Sequence, residues 1–390
     1  MTDRPARRPA HPLLPADRLN RATLARQHLL ERVPAGGPVE HVIEGVGGLQ
    51  AQEPASPYLA LWARVDGFEA DSLDRAFRDR RVVKATLMRA TLHAVSRLDY
   101  VGLRPAVGPM LTSLTRRERG GGPEPDRLES LANAALAFAS TPRSNTELRG
   151  HVGALAGDLD PDDAWWWVRR HAPFVHAPTP TAWSFGRRPL LAAAGAWIDG
   201  HTLADAAAAV EHLVRRHLGA FGPATAADVA AWSGLPVARL RIGIDAIERA
   251  GELRRFTDQR GRVLLDLAGA PLPSADVEVP ARLLPMWDSV LLAFADRTRV
   301  ISDEHRRVVV ARNGDTLPTF LVGGRVAGLW WAEHDGGRSR IVLEPFGRLG
   351  RDSRRALERE GERLADFVAP LEPEVYRRYR RSRARRLPLG

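Results

Sequence analysis

The sequence predicts a mainly α-helical protein with some β structure, in which tandem winged helix-turn-helix units are followed by a small β-rich C-terminal unit. Apolar residues recur at helical spacing, between short turns rich in Gly and Pro, over most of the chain. One segment reads helix, turn, helix and hairpin, which is the order of a winged helix-turn-helix. We therefore expect three winged-helix units, a β-rich unit and two basic tails, with the bounds 17–120, 121–200, 201–270, 271–370, 1–16 and 371–390.

The composition narrows the class of protein. The chain has 390 residues and no cysteine, so we expect neither disulfides nor cysteine-ligated metal sites. No apolar run approaches the length of a transmembrane helix, and we expect a cytoplasmic protein. The net charge is +10, but seven arginines lie within residues 377–386, so most of the excess belongs to that segment. Charge alone is therefore weak support for nucleic-acid binding.

The first two units follow a similar plan of helices followed by strands. In the first unit we predict helices over 17–32, 38–50, 59–65 and 71–80, then a strand over 86–95. In the second unit we predict helices over 127–139 and 144–155, another helix from Asp160, and strands over 174–176 and 189–192. We interpret the triplet Trp165-Trp166-Trp167 as core, whereas Trp183 and Phe185 in the predicted wing are better candidates for stacking on bases.

The third unit has the clearest winged-helix pattern. Helices are predicted over 202–218, 226–232 and 237–250, with a cap at Thr225 and a stop at Gly251, and a hairpin over 252–267. The second helix of the motif and the wing contain six arginines, namely Arg239, Arg241, Arg254, Arg255, Arg260 and Arg262. They are either DNA-binding residues or a solvated arginine-rich face.

After Pro280 the pattern changes to short strands. We predict strands over 299–301, 308–311, 319–322, 325–331 and 340–343, followed by a closing helix over 353–368. Turns are predicted at Asn313-Gly314 and Gly323-Gly324, because Asn-Gly between apolar runs is typical of a hairpin.

Two carboxamides stand two residues apart at the end of an apolar helical pattern, as Gln50 and Gln52. Residues at this spacing point to opposite sides of a helix but to the same side of an extended chain. If they act together, the chain is extended here, both side chains face one cavity, and Ala51 points into the wall. Carboxamides do not titrate, so they can orient a water without activating it strongly. Alternatively, the pair only caps backbone groups at a helix end.

Four segments together resemble the winged-helix DNA glycosylases typified by AlkZ and YcaQ, over residues 17–370. They are Leu49-Gln50-Ala51-Gln52, Arg89-Ala90-Thr91-Leu92-His93, Leu284-Pro285-Met286-Trp287-Asp288 and Asp296-Arg297. AlkZ-like members carry a Gln-apolar-Gln motif, whereas the motif of YcaQ-like members ends in Asp. Because Gln52 holds the last position, the AlkZ-like branch is favoured.

This resemblance implies hydrolysis of the N-glycosidic bond of bulky N7-alkylated purines, in repair of or self-resistance against a DNA-alkylating natural product. Gln50 and Gln52 would be catalytic, and His93 and Asp296 are candidate supporting residues that could equally be structural. The implied partner is double-stranded DNA containing alkylated purines, bound by a nucleoid-associated monomer without cofactor or metal. Family members also place a β-hairpin in the minor groove, for which Arg312 and Arg325 are candidates; alternatively, both hairpins only close the β-rich unit.

Two consequences concern the reaction and the C-terminal tail. A cationic alkylated base leaves readily, so positioned water suffices, and Lys84 is the only lysine able to act as an amine nucleophile. We therefore expect a monofunctional enzyme that leaves an intact abasic strand. The tail from Tyr376 is expected to add salt-dependent affinity and nothing to catalysis. The rival interpretations are a winged-helix transcriptional regulator and a non-catalytic lesion binder.

Overall fold

The computed structural model describes residues 11–198, 200 and 204–379. Its helices and antiparallel strands confirm the predicted class, mainly α with some β structure, in which winged-helix units precede a β-rich C-terminal unit. Among the described helices, none combines the length and the apolar composition that a membrane crossing needs.

The first unit is helical and contains a β-hairpin. Its elements, with a short N-terminal strand, are β1 (Leu13–Leu14), α1 (Ala16–Arg26), α2 (Val39–Gly45), β2 (Leu49–Gln50), α3 (Ala55–Arg64), α4 (Ala70–Arg78), β3 (Val82–Thr86), β4 (Leu92–Ser96) and α5 (Arg97–Arg119). The long helix α5 was not predicted. It starts at the Ser96 cap, whose side chain accepts a hydrogen bond from Asp99 N–H, and it ends at Gly120 in the left-handed conformation.

Three predicted elements of the first unit have wrong bounds. Helix α1 ends at Arg26 rather than at residue 32, and the chain turns at His28, whose φ is 52°. Helix α2 ends at Gly45 rather than at residue 50, because the following turn contains two glycines at positive φ. The predicted strand over 86–95 is a hairpin instead, because Arg89 and Ala90 adopt φ values of 54° and 57° and reverse the chain.

The second unit agrees with the prediction in its helices and strands. It contains α6 (Pro125–Phe138), β5 (Arg143–Ser144), α7 (Asn145–Leu155), α8 (Pro161–His171), β6 (Phe174–Ala177), β7 (Leu190–Ala193) and α9 (Ala194–Trp197). Trp165 and Trp167 are core residues, as predicted, whereas Trp166 is half-buried under the guanidinium groups of arginines. Trp183 and Phe185 are 5% and 9% exposed and pack in the core, so they do not project from an exposed wing as predicted, and their stacking on bases stays a prediction.

The strands of the first two units form one six-stranded sheet in the order β2-β4-β3-β6-β7-β5. The two hairpins meet where β3 pairs with β6, at Lys84 opposite His176. One face of the sheet, carrying Val83, Ala85 and Val95, packs in a core with the third unit. The sheet therefore joins units that the sequence presents as separate.

The third unit is a winged helix-turn-helix, as predicted. It comprises α10 (Ala206–Phe221), α11 (Ala226–Ser233), α12 (Val237–Arg249), β8 (Leu253–Asp258) and β9 (Val263–Leu267). Thr225 and Asp228 form a capping box at the start of α11, and Gly234 closes that helix in the left-handed conformation. The predicted start of α10 at residue 202 lies outside the described residues.

The β-rich unit is a four-stranded antiparallel sheet in the order β10-β11-β12-β13. It comprises β10 (Arg282–Leu284), α13 (Asp303–Val309), β11 (Thr319–Val322), β12 (Arg325–Asp335), β13 (Arg338–Pro345) and α14 (Arg351–Val368). The strands predicted over 299–301 and 308–311 are wrong. Asp296 and Ser302 cap a 3₁₀ turn and helix α13 there, and such caps favour helical over extended backbone.

Both predicted tails contain ordered residues. Strand β1 pairs in parallel with β8, and Leu14 is 1% exposed. At the other end, Tyr376 is 3% exposed, and its hydroxyl hydrogen-bonds the Ser56 hydroxyl at 2.9 Å. Residues 1–10 and 380–390, which include most of the predicted basic tail, lie outside the described residues.

A buried ion pair joins the first unit to the β-rich unit. Arg64 on α3 donates two hydrogen bonds of 2.8 Å to the carboxylate of Asp288, and both side chains are 0% exposed. The same guanidinium also donates to Ala60 O and to the side-chain oxygen of Gln27. Because these acceptors compensate much of the lost hydration, the charges are tolerated inside the core.

We expect Asp288→Asn to destabilise the protein by about 3–5 kcal/mol, because it leaves the Arg64 charge buried without its counter-ion. Urea unfolding followed by circular dichroism measures the change. The control is Asp71→Asn, which breaks the pair of Asp71 with Arg75, side chains 58% and 51% exposed, and should cost less than about 1 kcal/mol. Equal losses in both variants would contradict a structural role for the buried pair.

Candidate active site

The chain enters the candidate site through two glycines after α2. Gly47 and Gly48 adopt φ values of 77° and 84°, which L-residues with a Cβ rarely accept. A Cβ on Gly48 would lie 3.0 Å from Val95 Cγ1, and one on Gly47 would lie 3.1 Å from Ala220 Cβ. Positive φ and close packing together require glycine here, and they deliver the next residues in extended conformation, as predicted.

Gln50 lies on an edge strand of the six-stranded sheet, directly opposite His93. Opposed residues of an antiparallel pair point to the same face, so the two side chains are neighbours. Gln50 is 6% exposed, and its Oε1 accepts a hydrogen bond of 2.9 Å from Arg89 Nη2. Arg89 also donates to Trp232 O of the third unit. The turn between β3 and β4 therefore orients Gln50 and ties it to α11.

Gln52 is exposed and lies on the other side of the same turn. Its Oε1 is 3.4 Å from the backbone nitrogen of Leu92, which donates to it. Between the two glutamines, Ala51 is 1% exposed, and its N–H donates to Leu92 O at 2.7 Å. Ala51 thus points into the wall, as predicted, and both carboxamides are held by the β3–β4 turn.

A cavity of about 970 Å³ opens beside Gln52. Its walls come from the β3–β4 hairpin, the wing of the second unit and the C-terminal segment after α14, and include Lys84, Leu92, His176, Trp183, Phe185 and Tyr376. Gln50 is not one of the described residues that line this cavity. The expectation that both glutamines face one cavity is therefore not met: Gln52 lies at the cavity, and Gln50 lies on the sheet face shared with His93.

Positive charge surrounds Gln50. Burial and the nearby charge of Arg297 lower the pKa of Arg89 to about 10, so Arg89 stays charged at neutral pH. The Nη1 atom of Arg297 is buried without a hydrogen-bond partner in the described part of the chain. Two guanidinium charges therefore lie close together on the side of the turn where Arg89 holds Gln50.

His93 is a neutral residue of the interior. It is 2% exposed, and its Nδ1 donates to Thr91 O at 3.0 Å. Burial, followed by the charge of Arg89, lowers the pKa of His93 to about 3. It therefore carries no charge at neutral pH, and its position favours a structural role in holding the turn.

Asp296 lies away from the cavity beside Gln52. Its carboxylate accepts hydrogen bonds from Thr298 and pairs with Arg260 and Arg262 of the third unit's wing, at 2.7 and 3.0 Å. It lines a second cavity, of about 160 Å³, together with residues of that wing. Asp296 therefore caps a turn, which was the alternative to a supporting role in catalysis, and it also connects this turn to the wing of the third unit.

The predicted DNA-binding arginines fall into two groups. Arg254, Arg255, Arg260 and Arg325 pair with Asp266, Glu248, Asp296 and Asp17, respectively. Arg239, Arg241 and Arg312 pair with no acidic residue in the described structure, and Arg241 and Arg312 are exposed. The second group keeps its donors available for phosphates, whereas the first would have to share or exchange partners.

Two predicted minor-groove turns also differ in accessibility. The turn at Gly323-Gly324 is packed on α1, where Asn20 Nδ2 donates to Gly324 O at 2.8 Å. The turn at Asn313-Gly314 is exposed, and a single bridge between Val310 and Thr316 closes it. The longest hairpin, β12–β13 with its turn at Gly336-Gly337, was not identified as such from the sequence.

Sequence reasoning missed the residues that support the glutamines. Arg89 was noted only as part of a resembling segment, and its hydrogen bond to Gln50 depends on a turn that the alternating pattern over 86–95 concealed. Tyr379 was assigned to a tail, yet its hydroxyl donates to Glu53, adjacent to Gln52, at 2.8 Å. Within the described part of the chain, no three His, Asp or Glu side chains come together as a metal site would need.

Comparisons with known proteins give a family and a fold. A family model described as "DNA glycosylase AlkZ-like" matches residues 43–367, which include both glutamines, Arg89, His93 and Asp296. Among solved structures, the Streptomyces sahachiroi DNA glycosylase AlkZ is similar, with a TM-score of 0.75 and 20% sequence identity, over 93% of this chain and 98% of that chain. At 20% identity, this structural similarity supports the assignment of the fold and nothing more specific. No curated protein matches the sequence.

The buried neutral state of His93 predicts a pH dependence of stability. The pKa of His93 is about 3 in the folded protein and 6.5 for an ordinary histidine, so below pH 6.5 only the unfolded chain binds the proton. We expect stability to fall as the pH drops, by about 1 kcal/mol from this residue between pH 7 and 5.5. Urea unfolding at both pH values measures it, and His93→Gln should lose that part of the slope. An unchanged slope in the variant would contradict the assignment.

Proposed function

The chain belongs to the family of AlkZ-like DNA glycosylases and is a DNA glycosylase, and on that premise we propose that it hydrolyses the N-glycosidic bond of bulky N7-alkylated purines in double-stranded DNA. In this proposal the enzyme acts as a monomer, in repair of or self-resistance against a DNA-alkylating natural product. Light scattering of the purified protein tests the first part, and survival of a sensitive host expressing the chain tests the second.

One observation carries the proposed chemistry: the oxygens of both carboxamides are fixed by the same turn. Gln50 is held by Arg89, and Gln52 by the backbone of Leu92, at 2.9 and 3.4 Å. Each oxygen keeps a second lone pair, and each amide nitrogen keeps its hydrogens available in the described structure. Each carboxamide can therefore accept a hydrogen bond from a water and present partial negative charge without any change of protonation.

This arrangement suits a substrate whose leaving group is already activated. Alkylation at N7 makes the purine cationic, so the base departs without a strong general acid. As the bond breaks, positive charge develops on the sugar, which preorganised carboxamide oxygens stabilise, while the held water attacks the anomeric carbon. Neutral His93 contributes no proton at neutral pH, in agreement with a reaction that needs no strong acid.

The DNA backbone is proposed to lie along the arginines that have no acidic partner in the described structure. Arg239 and Arg241 lie on α12, the second helix of the helix-turn-helix, and Arg312 lies at the exposed turn of the β-rich unit. Arg89 and Arg297 beside Gln50 would meet phosphates close to the lesion. Such contacts give affinity without sequence preference, which fits a protein that must find a lesion in any sequence.

We expect Gln50→Ala and Gln52→Ala each to lower single-turnover base excision by about tenfold to a thousandfold, or ~1.4–4 kcal/mol, because each removes a positioned dipole. The substrate is a duplex with one N7-alkylguanine, and released base is quantified by mass spectrometry. DNA affinity should change little, since phosphate contacts dominate it.

The control for this experiment is Gln259→Ala, which removes an exposed carboxamide from the wing of the third unit and should leave the rate at saturating enzyme unaltered. Parallel loss of binding and excision in both glutamine variants would assign the pair a structural role. Lesion binding without base release by the unmodified chain would instead favour a non-catalytic lesion binder, and tight sequence-specific binding a transcriptional regulator.

We also expect hydrolysis without strand cleavage. Lys84, the only lysine, is 4% exposed in the cavity wall, and the water held by the glutamines is the proposed nucleophile. Product strands should remain intact until alkali is added, as judged by denaturing electrophoresis. A covalent protein–DNA adduct that is trapped by borohydride and lost in Lys84→Met would overturn this part of the proposal.

A further inference from the structure

Lys84 occupies an unusual position in the wall of the cavity beside Gln52. It lies on the central strand β3, between Ala94 of β4 and His176 of β6, and it is 4% exposed. Its ammonium nitrogen is 4.4 Å from the centre of the Phe185 ring. In the described structure this ammonium group forms neither an ion pair nor a hydrogen bond. A charged group with only an aromatic ring as partner is poorly compensated for its burial.

The charged residues that share the cavity with Lys84 include two glutamates, but neither forms an ion pair with it in the described structure. They are Glu53, Glu372, Arg169, Arg187, Arg377 and Arg378. Glu372 accepts the indole N–H of Trp183 at 2.7 Å, and Glu53 is engaged by Tyr379 and Arg378. His176 is neutral, because burial and the charge of Lys84 lower its pKa to about 3. The cavity therefore carries an excess of positive charge, with the ammonium at its inner wall.

The remaining walls are aromatic and apolar. Trp183, Phe185, Tyr376 and Leu92 line the space. A volume of about 970 Å³ is at the upper end of the range for small-molecule sites and far exceeds what a methyl group would fill. Flat aromatic groups make favourable contacts with such walls.

We propose that this cavity binds the alkyl substituent of the lesion, and that Lys84 selects substituents in which an aromatic ring carries a hydrogen-bond-accepting carbonyl or carboxylate oxygen. The inference rests on the proposed function, because the cavity can receive the substituent only if the N-glycosidic bond lies at Gln52, which borders it. Lys84 is thus a specificity residue of the enzyme and takes no part in bond cleavage.

Burial lowers the pKa of Lys84 to about 8, so the free enzyme is mostly protonated at neutral pH and loses the charge as the pH rises through 8. Since kcat/KM follows the ionisation of the free enzyme, the preference for an acceptor-bearing substituent should decline over that range. The neighbouring His176 does not titrate there, because its pKa is about 3. The arginines stay protonated throughout.

The experiment compares three duplexes, each with one guanine alkylated at N7 by a methyl, a benzyl or a para-carboxybenzyl group, and measures kcat/KM for base release. We expect the unmodified enzyme to prefer the carboxybenzyl lesion. Lys84→Met keeps most of the length of the unbranched side chain and removes a buried charge, so it should fold, as thermal unfolding will verify. It should lower the ratio of kcat/KM for the carboxybenzyl lesion to that for the benzyl lesion by about tenfold, the value of one hydrogen bond to a charged group.

The controls separate this inference from the proposed function. Gln52→Ala should lower kcat/KM for all three lesions together and leave their order intact. If the unmodified enzyme releases base but Lys84→Met keeps the same ratio, or the ratio is independent of pH between 7 and 9, the role of Lys84 is refuted while the glycosylase mechanism stands. If no alkylated guanine is released from any duplex, the proposed substrate class itself fails, and the inference fails with it.

Discussion

The reversal of the chain between β3 and β4 is the constraint on which the candidate site depends. Arg89 and Ala90 both adopt left-handed backbone conformations there, which cost about 1–3 kcal/mol each for residues with a side chain. Hydrogen bonds made by the turn offset this cost. Arg89 donates to Gln50 and to Trp232 O, and the backbone of Leu92 forms hydrogen bonds with Gln52 and Ala51. This turn therefore orients the side chains of Gln50 and Gln52 and connects the first unit to the third.

The sheet that carries this turn separates positioning from binding. On one face, Gln50 and His93 lie against the core shared with the third unit, where the histidine is neutral and the guanidinium of Arg89 is partly buried. On the other face, Lys84 and His176 are opposed and open into the cavity that Gln52 borders. Alternation along the strands therefore places Gln50 and His93 on the core face, and Lys84 and His176 on the face of the cavity.

The C-terminal segment takes part in the same arrangement. Tyr376 fills a wall of the cavity and bonds Ser56 of α3, while Tyr379 meets Glu53 beside Gln52. The buried pair of Arg64 with Asp288 fixes α3 to the β-rich unit from which this segment returns. The first two units and the segment after α14 therefore converge at one place, so the cavity exists only in the assembled protein.

The class of fold, the third winged helix with its caps, and the extended conformation at Gln50 could be predicted from the sequence, because these follow from short-range periodicity, capping residues and glycine turns. The sequence could not determine that the strand pattern over 86–95 is a hairpin, since alternation is the same on either side of a two-residue reversal. Nor could it place Trp183 and Phe185 in the core or Lys84 in a cavity wall. Those placements depend on contacts between residues far apart in the chain, such as Lys84 with His176 and Arg89 with Trp232, and only the tertiary structure decides them.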